Sequence, residues 1–337
     1  MNSSVLDIHL FSSIHYLLDT LKVNIIILPL FVMPKEIYTR KRSSEPSTNR
    51  ENIFASNQHV FIDTGELAPP FRFIGMHHAY LGGINAMALV DPSGWRHIKP
   101  ELLSLARENL FENSRMFMHH YGKIKTIDSV ADEWRQFLNK INYAIGNISQ
   151  EIKSRPRVMN ELMKLRVPSE YILNGLKTAV VPFNSTIKDI SEMLGLFKAI
   201  PLDIHERRKL RMDAAKRKEV GYPTLTDEHL FATAIYSAIF EEKNTALISR
   251  DSDMYKMMQK TLAYLRRDST SFTRKLCKAG PEILYHKDRD LYDVYTFKNS
   301  NPAPVSPRDF ERMNGRLNDL VTDLTFKYEE TRAEKNY

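Results

Sequence analysis

The sequence predicts an α/β fold: a mostly parallel central sheet flanked by helices, with large helical insertions and a C-terminal helix. Three observations predict it. Val60-Phe61-Ile62 and Thr245 to Ser249 are apolar runs too short for helices, and each stops abruptly in a polar turn. Most of the chain between and after them carries apolar residues at helical spacing. Strands separated by helices, rather than by tight turns, imply parallel neighbours joined by crossovers.

The elements follow in order. Residues 40–52 (RKRSSEPSTNREN) read as a linker or disordered arm, with order beginning near His59. The first strand ends at Asp63-Thr64-Gly65. A helix over 100–117 starts on Pro100, which lacks only an N–H the first turn leaves unpaired. Residues 123–127 suit a short second strand. Asp128-Ser129 cap a helix over 130–152 with Trp134, Phe137, Leu138, Ile141 and Ile145 on one stripe. Pro156, Pro168 and Pro182 punctuate further helical segments, and 204–220 suits a strongly basic helix. Thr226-Asp227 cap a helix over 228–242, whose Ala232, Ala234 and Ala238 permit close packing on a sheet. The strand over 245–249 precedes Arg250-Asp251-Ser252-Asp253 and a helix to about Tyr264. Strands over 282–285 and 294–297 could form a hairpin, and Pro302, Pro304 and Pro307 lead into a charged helix over 308–330.

Composition bounds the class. With 42% hydrophobic and 26% charged residues among 337, the chain can bury a core and is not a disordered polymer. A single cysteine, Cys277, excludes an internal disulfide and fits a reducing, cytoplasmic setting. The net charge of +7 favours phosphate-rich partners without demanding them. The apolar run over 23–33 falls short of the ~20 residues a membrane span needs. Asp7 and Asp19 before it and Pro34-Lys35-Glu36 after it are wrong for a signal peptide. It reads as a packed N-terminal segment or as an over-extended start with Met33 as initiator. The expected organisation is an N-terminal segment and linker (1–57), one α/β domain (58–300), and a linker with a terminal helix (301–337).

Two strands distant in sequence thus stop at or beside an aspartate, Asp63 and Asp251. The carboxyl ends of parallel strands open on one crevice. Asp227 starts the helix that feeds the second strand, and a helix antiparallel to its strand begins at that same edge. Carboxylates so gathered repel one another. A hard divalent cation, Mg²⁺ or Mn²⁺, relieves the repulsion and can activate water against a phosphodiester. Singly, each aspartate has an ordinary alternative as a helix cap or a turn residue.

The segments FIDTGEL (61–67), TDEHLFATAIY (226–236) and ALISRDSDMYKM (246–257) resemble the signature segments of PIN-domain nucleases. The match covers only about 30 residues, and 68–225 is longer than in compact members. The resemblance implies a PIN-like fold and a metal-dependent nuclease. Asp63, Asp227 and Asp251 would bind the ion, and Thr64, Ser249 and Asp253 would stand behind them. It also implies a further acidic residue early in the helix after the second strand. Glu133 is the candidate and Asp132 its neighbour, and since they point about 100° apart only one can face the crevice.

Other features weigh less. Arg207, Arg208, Lys209, Arg211, Lys216, Arg217 and Lys218 could hold a nucleic-acid backbone or form a solvated helix face beside Glu206, Asp213 and Glu219. Lys256, Arg266 and Arg267 are weaker versions of the same idea. His77-His78 and His119-His120 lack zinc-ligand spacing. Phe71, Phe73 and Tyr80 suit a core, and no glycine-rich phosphate loop is present. The expected activity is hydrolysis of RNA, or of another single-stranded nucleic acid, by a Mg²⁺- or Mn²⁺-dependent enzyme. A non-catalytic nucleic-acid-binding module and a hydrolase of small phosphoesters are the alternatives.

Overall fold

The computed structural model describes residues 47–67, 100–151, 156–181, 225–265, 270–288, 291–300, 302 and 307–335. Their elements run β1 (Ser47–Asn49), α1 (Arg50–Ser56), β2 (His59–Ile62), α2 (Thr64–Leu67), α3 (Pro100–His119), β3 (Ile124–Lys125), α4 (Asp128–Glu151), α5 (Pro156–Ala179), α6 (Leu225–Ile239), β4 (Thr245–Ser249), α7 (Asp253–Leu265), α8 (Ser271–Ala279), β5 (Glu282–Asp288), β6 (Leu291–Tyr295) and α9 (Pro307–Glu334).

The chain forms an α/β fold on a six-stranded mixed sheet of order β1-β6-β5-β4-β2-β3. β2 pairs in parallel with β3 and β4, and β4 with β5, whereas β6 runs antiparallel to both β5 and β1. Val60, Phe61 and Ile62 of β2 and Ala246, Leu247 and Ile248 of β4 are all buried. A strand buried on both faces has no solvent side to alternate toward, which is why these runs are continuously apolar. A parallel bridge between Thr126 and Val180 continues the sheet past β3.

Hydrogen bonds at both ends fix the direction of α6. At its end, Ser237 Oγ lies 2.7 Å from His59 Nδ1 and accepts from Thr245 Oγ1 at 3.4 Å, both at strand starts. At its beginning, Thr226 reaches toward the strand ends through Glu133. The helix is therefore antiparallel to β2 and β4, and its first turn sits at their carboxyl edge.

Several boundaries differ from expectation. Ser47–Asn49 is an edge strand on β6, and Arg50–Ser56 a helix capped by Asn49, whose side chain accepts from the Asn52 N–H at 2.9 Å. An edge strand pairs through its backbone, so a polar Ser-Thr-Asn triplet gives no apolar signal of it. Pro168 does not punctuate: it lies buried inside α5, which runs through it. α6 begins at Leu225, so Asp227 occupies the first turn rather than the cap. The hairpin is β5–β6, with β6 starting three residues before the expected 294. Among the described residues, no helix is long and apolar enough to cross a membrane. The segments 1–46 and 204–220 lie outside them.

Candidate functional site

Asp63 leaves the end of β2 and is buried. Its Oδ2 accepts from Ser249 Oγ at 2.9 Å, a bond between the last residue of β4 and the first residue past β2. The parallel register that sets His59 beside Thr245 and Ile62 beside Ile248 brings these two together. Ser249 Oγ also accepts from the Asp251 N–H at 2.9 Å, and Asp251 Oδ1 in turn accepts from the Asp253 N–H at 3.1 Å. One hydroxyl thus ties the buried carboxylate to the turn that carries Asp251, whose own side chain is exposed.

Glu133 joins from α4. Thr64 Oγ1 donates to its Oε2 at 2.8 Å and Thr226 Oγ1 to its Oε1 at 2.9 Å. Each threonine adjoins an aspartate, Asp63 or Asp227, so the clamp draws three distant segments to one edge. Asp132 points elsewhere: it is exposed and pairs with Arg135 one turn along its own helix. Asp227, half-buried, stands beside Thr226 in the first turn of α6. Asp253 opens α7, is buried, and pairs with Lys256 at 2.9 Å. That makes Lys256 a partner of Asp253.

The electrostatics are those of an under-compensated acid. Burial, reinforced by Asp251 and Glu133, pushes the Asp63 carboxyl up to about 6 from its ordinary 3.8, against the Ser249 hydroxyl and the Gly65 N–H. No cationic side chain among the described residues pairs with it. Gly65 keeps the carboxylate in place: a Cβ there would stand 3.0 Å from Asp63 Oδ2. Among the described residues, no three His, Cys, Asp or Glu side chains are gathered closely enough to grip an ion as they stand.

Another buried carboxylate, Glu66, escapes sequence reading. Glu66, three residues past Asp63, receives Arg50 and Arg250 at 3.3 Å each, His286 Nδ1 at 2.8 Å and the Tyr292 hydroxyl at 3.0 Å. Burial alone would push its carboxyl up, but His286, Arg250 and Arg50 overcome this and hold it below the ordinary range. Arg250 lies between Ser249 and Asp251, so this network anchors the same turn from behind. Its partners lie up to 226 residues from it in sequence, and no local pattern announces them.

At the histidine pair 119–120, His120 stacks on Phe54 at 3.8 Å. Cys277 is a half-buried thiol. Arg207, Arg208, Lys209, Arg211, Lys216, Arg217 and Lys218 lie outside the described residues, as do His77, His78, Phe71, Phe73, Tyr80, Arg266 and Arg267. Compared with known proteins, the chain matches no family model, no curated protein and no solved structure.

Proposed function

We propose that the chain is a Mg²⁺- or Mn²⁺-dependent nuclease of PIN-like fold that cleaves RNA in the cytoplasm. The observation that carries this reading is Asp63: a buried carboxylate without a cationic partner, electrostatically coupled to Asp251 and Glu133 at the carboxyl edge of parallel strands. Such a group is costly to ionise alone, and a divalent ion removes the cost. The donors are all oxygens, which suits a hard ion. Asp63, Asp227 and Asp251 would hold it.

When bound, the ion supplies charge neutralisation at the phosphodiester and a water of lowered pKa. The chain supplies the rest. Ser249 fixes the Asp63 carboxylate and the Asp251 turn at once. Thr64 and Thr226 hold Glu133 at the crevice, where its carboxylate can receive a proton. The cluster from Arg207 to Lys218 would track the substrate backbone, giving an affinity that falls steeply with salt.

The test is cleavage of single-stranded RNA with Mn²⁺ present. Asp63→Asn and Asp251→Asn should each abolish it while the far-ultraviolet circular dichroism stays unchanged. Equal turnover by both variants and the parent would remove the reading.

A further inference from the structure

α3 and α5 pack side by side, and their exposed surface carries large apolar side chains set among charged ones. Gly175 of α5 lets the two helices touch closely, since a Cβ there would lie 2.6 Å from the Phe117 ring. On the same two helices Phe111 is 40% exposed, and Met163, Val167 and Tyr171, recurring every fourth residue along α5, are 47%, 49% and 60% exposed. Phe111 and Val167 line one groove with Arg107, Arg115 and Lys164. Large apolar side chains contiguous on two helices mark a face that another surface covers.

The charges say which surface. Arg107 and Lys164 are already spoken for, both pairing with Glu161, and Arg166 pairs with Glu170. Glu108 and Arg115 form no ion pair among the described residues. They lie two turns apart on one side of α3, about 10 Å along the axis, with Phe111 between them. A helix that carries an acid, an aromatic and a base in that order is complementary to itself run backwards. A phosphate backbone is a poor fit, because Glu108 and Glu112 would repel it.

We propose that this face forms a two-fold homodimer. α3 packs antiparallel on its copy about Phe111, so that Glu108 of each chain meets the partner's Arg115, and the α5 stripe flanks the contact. The symmetry makes each pair occur twice.

Sedimentation equilibrium of the full chain, with Glu108→Arg, Arg115→Glu and the double swap, tests it. The parent should be a dimer. Each single swap sets like charges opposite one another at two places and should weaken the dimer on the order of a hundredfold. The double swap should restore it. Both sites are exposed, so the variants should fold, which circular dichroism checks; Phe111→Ser gives a second, uncharged disruption that the double swap cannot rescue. A monomeric parent overturns the proposal and leaves the face to another occupant. A dimer indifferent to the single swaps, or one the double swap fails to restore, overturns it equally.

Discussion

Ser249 donates its hydroxyl to Asp63 at 2.9 Å across 186 residues of sequence, and the same oxygen accepts the Asp251 N–H. Because parallel pairing of β2 and β4 sets this contact, disturbing either strand end should disturb both aspartates. The chemistry of the edge can therefore be probed through stability as well as turnover.

Asp63 should oppose folding at neutral pH. Its carboxyl is raised in the native state, so its contribution is fully favourable below the ordinary value of 3.8 and is lost as pH rises through about 6. Asp63→Asn should therefore unfold at higher urea than the parent at pH 8, by on the order of 3 kcal/mol, and at nearly the same urea at pH 3. An equal gap at both pH values contradicts the burial argument.

Mn²⁺ should stabilise the protein, and more at pH 7.5 than at pH 5, because the ion binds the ionised carboxylate and competes with its proton. Thermal melts with and without the ion at the two pH values measure this. Asp63→Asn and Asp251→Asn should lose the response. A melting shift that survives in both would place the ion elsewhere.

Glu133 depends on two hydroxyl donors. Thr226→Val and Thr64→Val should each lower stability by about 1 kcal/mol, a modest figure because neither threonine is fully buried. In a Glu133→Gln background the cost should shrink, and a double-mutant cycle reads the difference. Strict additivity would mean that the clamp contributes nothing.

Glu66→Ala should be among the most damaging single changes outside the proposed site. It leaves Arg50, Arg250 and His286 facing one another without their shared carboxylate. Breaking such a buried ionic group costs on the order of 3–5 kcal/mol. Chemical denaturation measures it, and a loss under about 1 kcal/mol would show the network to be effectively solvated.

Gly175→Ala drives a methyl against Phe117, and overpacking of this kind costs on the order of 1–3 kcal/mol. Pairing it with Phe117→Leu should recover part of the loss.

The parts of this architecture legible in sequence were those with a local signature. Val60-Phe61-Ile62 and the strand ending at Ser249 announce themselves by unbroken burial, and the α4 stripe from Trp134 to Ile141 by its spacing. That Glu133 rather than Asp132 meets Thr64 depends on which face of α4 is turned inward, a tertiary fact. Glu66 reads as an ordinary acid after a turn, because its four partners come from α1, the Ser249–Asp251 turn, β5 and β6. β1 pairs through backbone groups that any residue owns. The α/β class and the two strand ends that set Asp63 near Asp251 could thus be read early, while the ionic network behind them could not.

The placement of β2 beside β4 also has a consequence for how the chain is made. On an emerging polypeptide, β2 appears long before its partner in the register His59↔Thr245. The α3–α5 contacts lie closer in sequence and can form in the meantime, whereas one edge of an almost wholly apolar strand must wait. High contact order of this kind slows folding, and an uncovered edge strand invites pairing with other chains. Fragments that stop before residue 245 should therefore aggregate, and the full chain should rely most on chaperones during that interval of synthesis.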